Sequence, residues 1–145
     1  MRIPTLYFLI GIPASGKSTY AKQLMQQANS QMIYVNRDSI RLTLNGSLHW
    51  TIDFEKVVRY VEDAAVRSSM REGFDIIIDS TNLIRKRYTH FKAMTEMFDG
   101  EIKFQPIIFK DSHDLSLCIT RNSLREGTAR VPDSVVESMH KQFLL

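Results

Sequence analysis

The residues with the plainest chemical consequence lie near the N-terminus, where Gly11, Ile12, Pro13, Ala14, Ser15, Gly16, Lys17 and Ser18 are followed by Thr19. Their spacing reads G-x-x-x-x-G-K-S, the pattern of a loop that cradles phosphates. Gly11 and Gly16 allow backbone conformations and a close phosphate approach that a Cβ would hinder. The apolar run Leu6-Tyr7-Phe8-Leu9-Ile10 leads in, and a helical pattern from Lys17 to Ala28 leads out. A loop so placed turns several N–H groups toward one point, and the helix dipole adds partial positive charge there. Lys17 is placed to reach the β- and γ-phosphates of a nucleotide, and the Ser18 hydroxyl to bind magnesium. A strand-to-helix turn that binds nothing is the alternative, and the fit of the flanking segments speaks against it.

Further candidates follow each later apolar run. Asn36-Arg37-Asp38-Ser39-Ile40-Arg41 comes directly after Met32-Ile33-Tyr34-Val35. Asp38 and Arg41 are three apart and share one face of a short helix. Helix capping by Asn36 or Asp38, with Asp38–Arg41 as a surface pair, competes with a functional reading. Their place at a strand's carboxyl end beside a phosphate loop favours function. Ile76-Ile77-Ile78 closes on Asp79-Ser80-Thr81-Asn82. An acid in that position suits the group that binds or orients hydrated magnesium, with capping by Asp79, Ser80 or Thr81 as the alternative. Arg85-Lys86-Arg87 opens the next helix, where the dipole disfavours cations unless an anion compensates, as a polyanion passing over the strand ends would. Finally, Arg121, Arg125 and Arg130 surround Glu126-Gly127-Thr128. That connection suits a lid whose arginines close over phosphates and stabilise the charge of a transferred phosphoryl group. Ordinary solubilising charges are the competing account. Trp50 and His49 sit in a loop over 45–51 and receive no role.

The elements that must position these residues alternate regularly. Strands are expected over Leu6–Ile10, Met32–Val35, Phe74–Ile78 and Ile102–Phe109, and helices over 17–28, 37–44, 53–72, 84–98, 113–125 and 133–143. Such alternation indicates an α/β fold with a parallel sheet of four strands and helices on both faces. The site then lies at the carboxyl ends of the strands. In the third helix, Val57, Val58, Val61, Ala64, Ala65 and Met70 read as the core stripe. Arg59, Arg67 and Arg71 read as a solvated face, with the tracking of a phosphate backbone as an alternative.

The chain has 145 residues, 43% hydrophobic and 24% charged, which fits one soluble domain over 1–145. No apolar run approaches the ~20 residues of a membrane span, and Met1-Arg2-Ile3-Pro4 shows no signal-peptide pattern. The single cysteine, Cys118, excludes an internal disulfide and a cysteine-cluster metal site, and reads as a buried inert thiol. A cytoplasmic setting is expected. The formal charge of +3 permits a nucleic-acid partner without demanding one. A homo-oligomer through an edge strand or through the last helix, which ends Phe143-Leu144-Leu145, stays open.

The phosphate loop, Asn36-Arg37-Asp38-x-x-Arg41, Thr81-Asn82-Leu83 with its basic residues, Arg121-Asn122-Ser123-x-Arg125 and Val131-Pro132 occur in one order along nearly the whole chain. Together they resemble the 5′-hydroxyl polynucleotide kinase family, and most of all the kinase domain of its bacteriophage members. The resemblance implies a phosphate-loop kinase fold and transfer of the ATP γ-phosphate to 5′-hydroxyl ends of DNA or RNA in nucleic-acid repair. It implies that Gly11 to Thr19, Arg121 and Arg125 bind ATP, with Lys17 and Arg125 catalytic and Ser18 on magnesium. Asp38 matches the general base and Arg41 the grip on the acceptor's 3′-phosphate. Asp79, Thr81 and Asn82 are expected at the acceptor, Asp79 also on magnesium through water. Two departures stand out. Ser80 separates Asp79 from Thr81, so Asp79 acts from one position earlier or Ser80 replaces it. Glu126 separates Arg125 from Gly127 in the lid. No phosphatase domain is recognisable, so a complete chain would be expected to be a stand-alone kinase. A small-molecule kinase acting on a nucleoside or nucleotide, and a non-catalytic nucleotide-dependent binding module, are the rival readings.

Overall fold

The computed structural model describes residues 2–28, 32–46 and 51–144, so His49, Trp50 and Leu145 lie outside the described residues. The strands are β1 (Thr5–Ile10), β2 (Met32–Val35), β3 (Asp75–Asp79) and β4 (Lys103–Ile108). They form one sheet in the order β2-β3-β1-β4, every neighbouring pair parallel. This is the α/β architecture that the alternation of elements implies. The chain leaves β1 toward one edge of the sheet and leaves β3 toward the other. The two carboxyl ends therefore flank a crevice, the usual ligand position in such sheets.

Side chains alternate across the strands, as the period of two requires. Leu6, Phe8, Ile76 and Ile78 point to one face and pack with Val66 and Met70 of α3 (Ile52–Arg71) and Phe91 and Met94 of α4 (Arg85–Glu96). Leu9 and Ile77 point to the other face and meet Ala21 of α1 (Lys17–Gln27). Asp79 follows Ile77 at the same period, so its carboxylate emerges on the α1 side. A third cluster joins Ile12 of the loop to Cys118 of α5 (Leu115–Ser123) and Val136 of α6 (Asp133–Leu144). The α5–α6 pair that carries the expected lid is thereby seated on the phosphate loop itself.

Several details differ from the sequence reading. The third helix buries Val58, Glu62, Val66, Ser69 and Met70, four of them at i, i+4 spacing, while Val57 is 47% exposed. Its apolar residues cover a wide arc, and the face that packs includes a carboxylate. The segment expected as one helix over 113–125 begins instead as a 3-10 turn at 110–113, and α5 starts after Asp114, whose carboxylate accepts from Leu117 N. Asn36, not Asp38, caps α2 (Arg37–Asn45), accepting from Ser39 N at 2.9 Å. Cys118 is buried and free, as expected. No described helix is long and apolar enough to cross a membrane.

Candidate active site

The loop between β1 and α1 continues the sheet's hydrogen bonding before it turns. Gly11 N donates to Thr81 O at 3.1 Å, and Phe109 N donates to Ile10 O at 2.9 Å. A Cβ on Gly11 would stand 2.5 Å from Ser15 Oγ and 3.0 Å from Ser112 Oγ, so the close fold of the loop requires glycine there. Ala14 (φ 65) and Gly16 (φ 103) are left-handed, which turns the following amides inward. α1 opens with no side-chain cap and no acid in its first turn, leaving its N–H groups available to an anion. The buried Ser15 hydroxyl also has no partner. A cradle that a Cβ would fill, an uncapped helix start and an orphaned hydroxyl fit the phosphates of ATP.

Lys17 lies beneath this loop, 8% exposed, and its Nζ donates to Gly11 O at 2.9 Å and Ile12 O at 2.8 Å. Burial pushes its pKa down to about 8; the Asp79 carboxylate opposes that and the nearby Arg125 reinforces it. The Ser18 hydroxyl donates to Asp79 Oδ2 at 3.1 Å. Asp79 is itself 2% exposed and accepts from the Tyr34 hydroxyl on the same oxygen at 2.5 Å. Burial and this carboxylate push the Tyr34 phenol well above its usual range. A hydroxyl and a carboxylate side by side, both oxygen donors, fit the hard magnesium ion. Between the two residues next to the departure in sequence, Asp79 is the one that faces Ser18, whereas the Ser80 hydroxyl is buried without a partner.

Arg121 and Arg125 reach the donor side across the loop. With Ala14, Gly16, Ser18 and Thr19 they line a cavity of about 470 Å³. Arg121 Nη1 donates to Asp111 Oδ2 at 2.9 Å and Ala14 O at 3.3 Å. The arginine-bearing connection is pinned at its base by Asn122, fully buried, whose amide donates to Val131 O at 2.7 Å and whose Oδ1 accepts from Val131 N at 3.1 Å. The connection from Ser123 to Arg130 is thus a closed loop whose tip faces solvent. Arg130 is exposed on it and does not line the cavity.

A second cavity, about 320 Å³, lies beyond the ends of β2 and β3 and is lined by Asp38, Arg41, Ser80, Thr81, Asn82 and Arg87 among others. Arg41 is held from two sides. Nε and Nη2 reach the Glu55 carboxylate at 2.8 and 2.5 Å, and Nη1 donates to Asp38 Oδ1 at 2.6 Å. The Asp38 side chain is 60% exposed. Glu62, 1% exposed, accepts from Arg37 Nε at 3.1 Å and takes both arms of Arg87 at 2.9 and 3.0 Å. Within the 85–87 run, Arg87 therefore needs no passing polyanion to offset it; Glu62 does so. Asn82 also departs from expectation. Left-handed at φ 51, it spends its amide on Leu9 O at 2.6 Å and its Oδ1 on Arg87 Nε at 2.8 Å. Its polar atoms brace the ends of β1 and β3 and are not offered to an acceptor. Asn36 adds a brace between β2 and β3, donating to Asp79 O at 2.5 Å.

Glu55, Glu62 and Tyr34 are the site residues that sequence reasoning missed, and Asn122 stood in the lid motif without an assigned role. Glu62 left a trace, a carboxylate at i, i+4 spacing within an apolar stripe. Tyr34 left none, being one more apolar-looking residue of a strand.

Comparison with known proteins places this geometry among relatives. A family model described as AAA domain matches residues 6–145. An L-seryl-tRNA(Sec) kinase from Methanococcus maripaludis is 25% identical over 141 residues, covering 95% of this chain and 52% of the relative. A chain of the Pnkp1/Rnl/Hen1 RNA repair complex superposes with a TM-score of 0.75 at 26% identity, covering 99% of this chain and 45% of its own. A gluconokinase from Sinorhizobium meliloti 1021 shares the fold, with a TM-score of 0.54 at 17% identity over 98% of this chain and 76% of that one. The chain spans about half the length of the first two relatives.

Proposed function

The chain belongs to the AAA domain family, with a phosphate-loop kinase fold like that of polynucleotide kinases, and from this premise we propose that it phosphorylates 5′-hydroxyl ends of DNA or RNA. The observation that supports this most is one sheet edge carrying two cavities, a phosphate cradle and an acceptor cavity in which Asp38 is the carboxylate. ATP supplies the phosphoryl group, and magnesium offsets its charge. Gly11 to Thr19 hold the phosphates through backbone N–H groups, with Lys17, Arg121 and Arg125 adding charge where it develops during transfer. Ser18 would hold magnesium, with Asp79 beside it as a second oxygen partner, and the ion would offset charge on the phosphates. Asp38 takes the proton from the 5′-hydroxyl as that oxygen attacks, since a neutral hydroxyl is a weak nucleophile.

Arg41 grips the acceptor's 3′-phosphate, and its geometry couples that grip to catalysis. Two arms stay on Glu55, while the third, on Asp38, is the arm that an incoming phosphate takes. Acceptor binding thus releases the Asp38 carboxylate to act as base. Thr81 lines the acceptor cavity and holds the loop through its carbonyl. Repair of nucleic-acid ends in the cytoplasm is the setting that this chemistry serves.

The test is transfer of the ATP γ-phosphate to a 5′-hydroxyl oligonucleotide, a nucleoside 3′-phosphate and a free nucleoside. Labelling of the first two, with little of the third, is expected. One observation favours a second reading, a small-molecule kinase: Arg41 is already neutralised by Asp38 and Glu55. Labelling of the free nucleoside alone would decide for that reading.

A further inference from the structure

The acceptor cavity borders a groove. Ile84 and Arg87 line the cavity, and between them in the first turn of α4 stand Arg85 and Lys86, which line a second cavity of about 610 Å³ together with Arg67 of α3. That cavity shares Arg67, Met94 and Met97 with a third, about 630 Å³, reached further along the two helices. The floor is apolar: Met94 is nearly buried, and Met97 is 84% exposed. The rim is cationic, with Arg67, Arg71, Arg85 and Lys86 all exposed.

These cations are treated unlike their neighbours. Arg37, Arg41 and Arg87 each have a carboxylate, whereas among the described residues Arg67, Arg85 and Lys86 have none. The one acid paired across the groove, Asp63, is taken by His90, and Asp99 lines only the far cavity. α4 also starts without a side-chain cap and without an acid in its first turn. Two cations in a helix's first turn oppose its dipole, and an anion laid across them relieves the conflict.

We propose that this groove carries the strand of a single-stranded polynucleotide away from its reacting 5′ end, phosphates on Arg85, Lys86 and Arg67, bases over Met94 and Met97. The inference rests on the polynucleotide reading given above. The adjacency of Arg85 and Lys86 to the acceptor cavity's Ile84 and Arg87, and the match of charge, select this occupant. A cationic wall beside an apolar floor is the arrangement with which proteins hold single strands irrespective of sequence.

The experiment is the binding of a fluorescent single-stranded 5′-hydroxyl 20-mer, followed by anisotropy across salt concentrations, for wild type and Arg67→Ala/Arg85→Ala/Lys86→Ala. Affinity in the variant is expected to fall at least tenfold. The log–log salt slope is expected to shrink by about 2, at ~0.7 per lost phosphate contact. Lys86→Glu alone, at an exposed position, is expected to move both quantities in the same direction. Equal affinity and slope in wild type and variants would overturn the groove. Wild-type turnover of a nucleoside 3′-phosphate, measured in parallel, separates the two ideas. If it proceeds while the variants bind the strand as wild type does, the kinase reading stands and the groove falls. If no 5′-hydroxyl acceptor is labelled, the kinase reading falls, and the groove as an acceptor path falls with it.

Discussion

On the donor side of the cleft, Lys17 is buried with two carbonyl oxygens for partners, Arg125 among the described residues meets a third, Ala129 O at 3.4 Å, and Arg121 pairs with Asp111. On the acceptor side, Arg37, Arg41 and Arg87 are each gripped by a carboxylate, two of them by the fully interior Glu62. The donor side thus balances Arg121 with Asp111 but, among the described residues, gives Lys17 and Arg125 no carboxylate at ion-pair distance. Burial drives Lys17 down to about 8 as a result, and a bound anion is what restores its ordinary state. The acceptor side is balanced in advance, so its arginines are fixed in place before any substrate arrives. Under the proposed function, one region would attract a highly charged group and the other would orient a hydroxyl.

Four substitutions and a pH titration would break or sharpen this contrast. Lys17→Ala is expected to lower kcat for γ-phosphate transfer by about 10³-fold, the scale of losing a main charge stabiliser. Its unfolding free energy should change little, because relief of the buried ammonium offsets the loss of its hydrogen bonds to Gly11 O and Ile12 O and of its attraction to Asp79. Glu62→Ala should do the reverse. It leaves two mostly buried guanidinium groups uncompensated and is expected to cost about 3 kcal/mol in denaturant unfolding. Equal destabilisation by the two substitutions would erase the distinction between the regions. Asp38→Asn is expected to reduce kcat by about 10²-fold while nucleotide binding, followed by fluorescence, is kept. Full turnover in that variant would remove Asp38 as base. Asn122→Ala unpins the base of the lid; a loss of about 1–2 kcal/mol in stability and a several-fold rise in the KM for ATP are expected.

The smallest effect is with pH. The folded pKa of Lys17 is about 8, below its ordinary 10.5. Between those values the unfolded chain holds more protons, so Lys17 contributes stability that rises with pH across that window and is absent below it. Phosphate binding pulls the other way, since it favours the charged amine. Binding of magnesium-free ATP should therefore take up a proton near pH 8 and weaken by a few-fold as pH rises through it. Calorimetry in two buffers of different ionisation enthalpy reads that proton, and Lys17→Met should abolish the buffer dependence.

The strands, the helices and the phosphate loop were legible in the sequence because each depends on residues adjacent in the chain. Short continuous apolar runs specify β1 and β3, and two glycines with Lys17 and Ser18 specify the loop whatever surrounds it. The core face of α3 was legible only in part, since apolar residues span a wide arc of that helix. The sequence pattern pointed to Val57, Val58, Val61, Ala64, Ala65 and Met70; packing kept Val58 and Met70, left Val57 exposed, added Val66 and carried Glu62 inside with them. Asp79 was identifiable as an acid ending a strand, but its choice over Ser80 came from the pleat, which turns Asp79 to the α1 side and toward Ser18.

What the sequence determined by itself was local: the strand–loop–helix unit around Gly11 to Thr19, and the strand ends at which its candidate residues stand. Only the tertiary structure decided how those residues are charged and steadied. Glu62 lies 25 residues from both Arg37 and Arg87, Glu55 lies 14 from Arg41, and Tyr34 lies 45 from Asp79. Separations of that kind carry no period and no motif. The pairs exist because burial of α3 and of the strand ends removes water from charged groups, and each must then find its partner within the fold.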